Sequence, residues 1–427
     1  MSYFQTMNKK MYRNLYVLFL LATLTVCCKD ESLNNNVIWK NRICGNDMIG
    51  DPGIGYPIYN NTVVFHSTPL SSIENYQSVL HGLDTKTGKE KWQLTNKDFF
   101  PKKRLQFANY DYYYQFNNIL VGCDRVSELT DERYIYAIDI EAGKVLWVKE
   151  LPAGYKEMGR LVRGMGKYAY VDATDRNTRF TLFKIDIESG EYSIALDMKN
   201  TDLPVSLTKI DAMFDIFSFS NIYKNASGDD IIAISINCDS PTNSLRWFMA
   251  LYVYNLSTQQ KIYSIPVSSS DTLEDWFFGR VNYHEGKIIV GKGTEFLCYD
   301  AFEDKGVLWQ HNTGTYANDN AMQVLGYDNL AIGFTIDRLF AFDINTGKEL
   351  YKVSANGSST ATVIDGIIYN EDHNDFLMRD AKTGKELKRV TTGKNEQGFA
   401  GSRPNSADGK IFVHTYTDAY CIRAWGK

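Results

Sequence analysis

The stretch Asp139–Trp147 reads DIEAGKVLW, and its outline recurs along the chain. Asp84–Trp92 is DTKTGKEKW, Asp343–Tyr351 is DINTGKELY, Asp380–Lys388 is DAKTGKELK and Asp186–Ile194 is DIESGEYSI. Two worn copies keep the outline, Asn255–Tyr263 (NLSTQQKIY) and Asp300–Trp309 (DAFEDKGVLW), the second with one extra residue. Runs rich in aromatic and β-branched residues precede the copies, such as YIYAI before Asp139 and RLFAF before Asp343, and these predict strands. The Asp or Asn that follows can accept backbone N–H bonds from two residues on and start a turn. Four residues later, Gly88, Gly143, Gly190, Gly347 and Gly384 can take positive φ, and the chain reverses into another strand. A large side chain follows the turn (Trp92, Trp147, Trp309, Tyr263 or Tyr351), placed to pack sideways against a neighbouring unit. Each copy therefore predicts the hairpin between the third and fourth strands of a small sheet.

The copies start at 84, 139, 186, 255, 300, 343 and 380, so the intervals are 55, 47, 69, 45, 43 and 37 residues. Periods near 40–50 residues with several short strands each predict a β-propeller. One such sheet cannot bury both faces alone, whereas a closed ring of them can. Ser406–Trp425 has the pattern of further second and third strands without a following DxxxG turn, and Val37–Ile43 (VIWKNRI) has that of a fourth strand with its Trp. Joining the two ends makes one more blade and leaves no open edge. The expected fold is all-β: an eight-bladed β-propeller of four-stranded antiparallel blades, with a seven-bladed ring as the alternative.

The A/V-x-D-x-x-T-G-K-x-x-W pattern resembles the tryptophan-docking repeat of quinoprotein-type propellers, over roughly residues 37 to 427. That superfamily includes the pyrroloquinoline quinone (PQQ) alcohol dehydrogenases and the propeller lipoprotein of the outer-membrane barrel-assembly machinery. The resemblance implies fold more strongly than function, because one fold serves many tasks.

The N-terminus has the pattern of a targeting segment. Lys9, Lys10 and Arg13 are its only charges before Lys29, and Leu15–Val26 is an apolar run of 12 residues, too short to span a bilayer. Cys27 directly follows the run and resembles the acylated cysteine of a bacterial lipobox, with Cys28 as the alternative because Val26 is bulky for the position before a cut. The expected organisation is a lipoprotein signal peptide over 1–26, a tether over 27–36 and the propeller over 37–427. Loss of the three positive charges in 1–26 takes the net charge from −5 to −8. An acidic chain without a Lys/Arg block argues against nucleic acid as a partner.

Chemistry is harder to find. The cysteines beyond Cys27 and Cys28 lie far apart, and Cys298 and Cys421 fall in predicted third strands as buried thiols. Each histidine sits in a different part of the repeat without metal-binding spacing: His66 and His414 in second strands, His81, His284, His311 and His373 near turns. The acidic pairs Asp131-Glu132, Asp229-Asp230 and Glu274-Asp275 read as solvated loops. In the longest interval, Asn221–Asp230 and Cys238–Arg246 read as enlarged loops. The PQQ dehydrogenases carry an adjacent-cysteine disulfide and carboxylate ligands for Ca²⁺, and nothing in the ring matches these. No catalytic residue, cofactor or metal is therefore assigned.

Residues predicted to approach the channel mouth are Tyr110, Tyr112, Tyr114, Arg160, Trp276, Arg280, Asn320 and Arg403. Of these Tyr112, Arg160, Trp276, Arg280 and Arg403 are the ligand-binding candidates. Tyr110, Tyr112 and Tyr114 alternate on one strand face, suited to stacking on a sugar or, more commonly, to packing between blades. The sequence reads best as a non-catalytic, lipid-anchored scaffold that binds a protein partner in the cell envelope, at the outer membrane. A glycan-binding surface lipoprotein is the alternative, and a PQQ dehydrogenase a more distant one.

Overall fold

The DxxxG segments fold as their chemistry dictates. In a computed structural model of the chain, Asp139 Oδ1 accepts the backbone N–H groups of Glu141 (2.9 Å) and Ala142 (2.8 Å), and the Gly143 N–H returns to the Asp139 carbonyl at 2.9 Å. Gly143 takes φ +61°. The turns at Asp84, Asp186, Asp343 and Asp380 repeat both contacts. At three of these turns, those of Asp84, Asp186 and Asp343, the carboxyl is held below the usual carboxylate range. The Thr346 hydroxyl and N–H keep the Asp343 carboxyl below the usual range, and at Asp186 the Lys167 ammonium does most of this.

The structure describes residues 36–43, 48–49, 56–68, 79–99, 113–123, 134–152, 155–175, 180–198, 213–240, 243–270, 281–292, 294–314, 324–335, 337–355, 361–372, 374–393, 398–399 and 405–426. They form eight antiparallel sheets, an eight-bladed β-propeller. Blade 1 comprises Met48–Ile49, Thr62–Thr68, Val79–Asp84 and Glu90–Thr95, with Ile58–Tyr59 also paired to its second strand. Blade 2 comprises Tyr113–Phe116, Ile119–Cys123, Tyr134–Asp139 and Lys144–Glu150. Blade 3 spans Tyr155–Met165 to Tyr192–Asp197, blade 4 Met213–Phe219 to Gln260–Ser270, and blade 5 Asn282–His284 to Val307–Asn312. Blade 6 spans Val324–Tyr327 to Glu349–Ser354, and blade 7 Ala361–Ile364 to Glu386–Val390. Blade 8 takes Asn405–Ala407, Lys410–His414 and Asp418–Arg423 from the end of the chain and Val37–Arg42 from its beginning. The closing pair runs from Val37 opposite Ile422 to Arg42 opposite Asp418.

The outer strand is bulged in the same way in seven blades. Val145 pairs with Ile138 and Trp147 with Ala137, leaving Leu146 without a partner in the ladder. Ile38, Lys91, Ile262, Leu308, Leu350 and Leu387 are skipped likewise. Such a bulge re-aims the side chain that follows it, and in six of the seven that residue is the docking aromatic, Lys388 standing there in blade 7. Opposite the aromatic on the third strand stands a small residue: Ala137 beneath Trp147, Ala341 beneath Tyr351, Gly82 beneath Trp92, Cys298 beneath Trp309 and Cys421 beneath Trp39. The two buried thiols are therefore spacers under an indole, and burial pushes each up to about 12.

Each aromatic then bonds to the next blade. Trp39 Nε1 donates to the Thr85 carbonyl (3.1 Å), Trp92 to Ile140 (3.0 Å), Trp147 to Ile187 (2.9 Å) and Trp309 to Ile344 (2.8 Å). The Tyr351 hydroxyl donates to the Ala381 carbonyl at 2.7 Å, and that of Tyr263 to Asp300. The acceptor lies on or next to the Asp of the neighbouring turn, and in every dock but that of Tyr263 the ring covers the turn's glycine. A Cβ at Gly143 would stand 2.2 Å from the Trp92 ring, and one at Gly347 2.6 Å from Trp309.

Two seams depart from this plan. Blade 3 has Ile194, and blade 7 Lys388, where the other six carry an aromatic, and blade 4 has Gln259, at φ +56°, in place of the glycine. There the turn donates backwards, from Gln259 Nε2 to the Ile194 carbonyl at 3.2 Å. Asp230 supplies the rest, accepting from the Tyr170 hydroxyl (3.1 Å) and Lys224 Nζ (2.5 Å) with Lys184 Nζ at 3.6 Å. Asp230 is thus a buried strand residue, not the solvated loop acid expected, because lysines from both blades compensate its charge. Between blades 7 and 8, Phe399 packs on Phe376 and Tyr420, with ring centres 5.8 and 5.2 Å apart.

Cys238–Arg246 also differs from expectation. Most of it lies in an extended hairpin, whose strands Asp230–Ser240 and Asn243–Asn255 keep pairing through Cys238 opposite Phe248 and Asp239 opposite Trp247. Asn221–Asp230 holds the short strand Tyr223–Lys224 and the turn after it.

If the glycine is required by the ring above it as well as by φ, Gly143→Ala is expected to destabilise more than Gly306→Ala. Both take positive φ (+61° and +69°), but Gly306 faces open space. Backbone strain of about 1–2 kcal/mol applies to both, and overpacking adds about 1–3 kcal/mol at Gly143. Urea denaturation midpoints measure the difference, and equal losses would contradict the dock.

Candidate functional site

The turns joining inner to second strands and third to outer strands emerge on one side of the ring. The inner turns are tight and need left-handed backbone: Asn60 (φ +48°), Asn117 (+52°), Glu285 (+45°), Asp328 (+48°), Asp365 (+51°) and Asp408 (+52°). Asn, Asp and Gly tolerate this conformation, which accounts for the dipeptides Asn60-Asn61, Asp365-Gly366 and Asp408-Gly409. Blades 5 to 8 therefore each place a carboxylate at this inner position, whereas blades 1 to 3 place Asn60, Asn117 and Gly166. An open cavity of about 620 Å³ lies where blades 8 and 1 meet, lined in part by Tyr59, Asn60, Glu141, Ser406 and Asp408.

Tyr112, Trp276, Arg280 and Arg403 lie outside the described residues, as do Tyr110, Asn320 and Cys27. Arg160 lies on the blade 3 inner strand, Tyr155–Met165, where pairing shifts between Met158 and Val162. Tyr114 is placed: its ring would lie 2.3 Å from a Cβ at Gly164, and its hydroxyl donates to the Gly166 carbonyl at 2.8 Å. It packs between blades 2 and 3, the commoner of its two expected uses.

A constellation absent from the sequence reading lies in blade 1. His81 is in a strand, not near a turn as expected, and its Nδ1 is 2.7 Å from Glu90 Oε1. With the Nδ1 proton donated to Glu90, Nε2 accepts from the Ser67 hydroxyl at 2.7 Å. The order Ser67–His81–Glu90 is that of an activated serine. Its setting is structural, because Ser67 and His81 are only 3% and 2% exposed. The bonds link the second, third and outer strands of the blade, on the face that Phe65 and Leu83 turn towards blade 8. His311, also in a strand, pairs with Glu349 at 3.2 Å, and His284 bonds the Asp328 carbonyl. His373 lies outside the described residues.

The closing seam also buries His414, bonded to the Tyr56 hydroxyl, while the Tyr56 ring packs at a tilt against Phe65 with ring centres 4.2 Å apart. Burial lowers His414 to about 3, and burial with the nearby His81 lowers His66 to about 3.

Two solved structures show the same fold. Quinohemoprotein alcohol dehydrogenase ADHIIG from Pseudomonas putida HK5 superposes with a TM-score of 0.56 over 92% of this chain and 76% of that one, at 9% identity. Sqt1 from Saccharomyces cerevisiae superposes with a TM-score of 0.59 over 91% of this chain and 99% of that one, at 11% identity. The shared fold is a β-propeller. At these identities the likeness extends to architecture alone. No protein-family model and no curated protein sequence matches the chain. A quinone and Ca²⁺ find no fit among the described residues: Cys123, Cys298 and Cys421 are separate buried thiols, and no three metal-ligating side chains converge.

Acid is expected to weaken the fold through the two buried histidines. Their folded values lie below the ordinary 6.5, so the unfolded chain binds the extra protons. Their contribution is complete above pH 6.5 and is lost as pH falls towards 3. Below the unfolded value each removes about 1.4 kcal/mol per pH unit. Urea midpoints between pH 6.5 and 4.5 should fall steeply for the native chain and less steeply for His66→Leu with His414→Leu. An unchanged slope would show that these histidines are not held neutral.

Proposed function

We propose that the chain is a non-catalytic scaffold that binds a protein partner in the cell envelope, held at the outer membrane by a lipid on Cys27. The observation that carries this reading is the turn side of the closed ring. Short turns, fixed by their own Asp caps and by the aromatics docked on their glycines, make a broad platform for a partner segment. The apolar run Leu15–Val26 ending at Cys27, and the polar tether after it, support the anchor.

Gentle crosslinking in intact cells followed by affinity capture tests the scaffold. The expected result is one envelope protein recovered in stoichiometric amount, with crosslinks on the propeller. Recovery of no protein, together with tight retention on a defined glycan array, would replace this reading with glycan binding. PQQ- and Ca²⁺-dependent dye reduction would replace it with a dehydrogenase. For the anchor, Cys27→Ser is expected to abolish incorporation of radiolabelled palmitate and release the protein from membranes. Undiminished labelling would move the acylation to Cys28 or remove it.

A further inference from the structure

We infer that the cavity between blades 8 and 1 is the receptor for a basic side chain, arginine or lysine, on an extended segment of the protein partner. The inference rests on the scaffold reading and gives its partner a chemistry. The lining that decides this comprises two carboxylates (Glu141, Asp408), two amides (Asn60, Asn61), a hydroxyl (Ser406) and one aromatic ring (Tyr59), and it contains no cation. Carboxylates accept the fork of a guanidinium, and a tyrosine face attracts a cation. The volume, about 620 Å³, admits the whole side chain and part of its backbone.

The walls are fixed before any ligand arrives. Asn60 Nδ2 donates to Glu141 Oε2 at 2.8 Å, tying the blade 1 inner turn to the outer turn of blade 2. Gln115 brackets Ile58, donating from Nε2 to its carbonyl at 2.6 Å and accepting its N–H at 3.0 Å through Oε1. The Asp408 turn is held by left-handed backbone at Asp408 and Gly409. A site whose groups are already in place spends little binding energy on ordering itself.

Beyond the cavity, the same inner position carries Asp365, Asp328 and Glu285 in blades 7, 6 and 5. Among the described residues, Lys382 stands 3.5 Å from Asp328, and no lysine or arginine stands within ion-pair distance of Asp365, Glu285 or Asp408. A segment with its first basic side chain in the cavity would continue along this negative arc. Blades 1 to 3 offer no such arc, so the charge also gives the segment a direction.

The test uses the full chain and a fluorescein-labelled Gly-Arg-Gly-Arg-Gly-Arg peptide, followed by anisotropy at two salt concentrations. Glu141→Gln with Asp408→Asn is expected to weaken binding about tenfold, a loss of about 1.4 kcal/mol. The control, Glu188→Gln with Glu303→Gln, removes the same charge from the outer turns of blades 3 and 5 and should change affinity less than about twofold. Thermal midpoints confirm that both pairs fold. Equal loss in the two pairs would reduce the effect to net charge and overturn the inference, as would no loss in either. A captured partner whose crosslinks map away from blades 8 and 1, with peptide binding indifferent to Glu141 and Asp408, would sink the cavity while sparing the scaffold. Failure to capture any partner would sink the scaffold, and the peptide titration would still report on the cavity.

Discussion

One contact organises the molecule: an aromatic side chain donates a hydrogen bond to a carbonyl in the next blade and lies across the glycine of that blade's turn. It joins two requirements that would otherwise be separate. The turn needs glycine to reverse at positive φ, and the absent Cβ also makes room for the indole. The bulge before the aromatic and the small residue opposite it serve the same contact. Sheet pairing alone would leave eight hairpin stacks with apolar faces. The docks fix how those faces meet, so that the hydrophobic clusters form between blades.

At the seam between blades 3 and 4 both halves of the dock are lost together. Blade 3 lacks the aromatic and blade 4 lacks the glycine, and an ionic and aromatic network around Asp230 holds that seam instead. Such a network is directional and polar, and salt screens it more than it does a docked ring. The blade beyond it also has the longest strands, 11 and 13 residues against five or six in blade 6. The ring is thus regular over most of its circumference and individual around blades 3 and 4.

Much of the fold was legible because its determinants are local. Asp139, Gly143 and Trp147 lie within nine residues, and the pairing of Val37–Arg42 with Asp418–Arg423 followed from asking what closes the last blade. What was not legible depends on register between strands. Ser67, His81 and Glu90 are unremarkable in sequence and meet only because two hairpins align them. Asp230 looked solvated because Tyr170, its partner, is 60 residues away. Cys238–Arg246 read as a loop because polar residues and Pro241 interrupt its apolar pattern, yet Cys238 and Asp239 still pair with Phe248 and Trp247. The cavity is built from turn residues such as Asn60 and Asp408, which a sequence reading assigns to backbone geometry alone.

The two ends of the chain close the circle without a covalent link, and Trp39 carries the dock across that join. Native-state amide hydrogen exchange at the ladder-bonded amides among residues 39–41, which alternate with outward-facing ones on this outer strand, measures this most directly. Protection equal to that of Phe412 and Val413 in the same blade, lost only on global unfolding, is the expected result. Rapid exchange at 39–41 while 411–413 stay protected would show the first strand to be a loose tail, and the ring to be open.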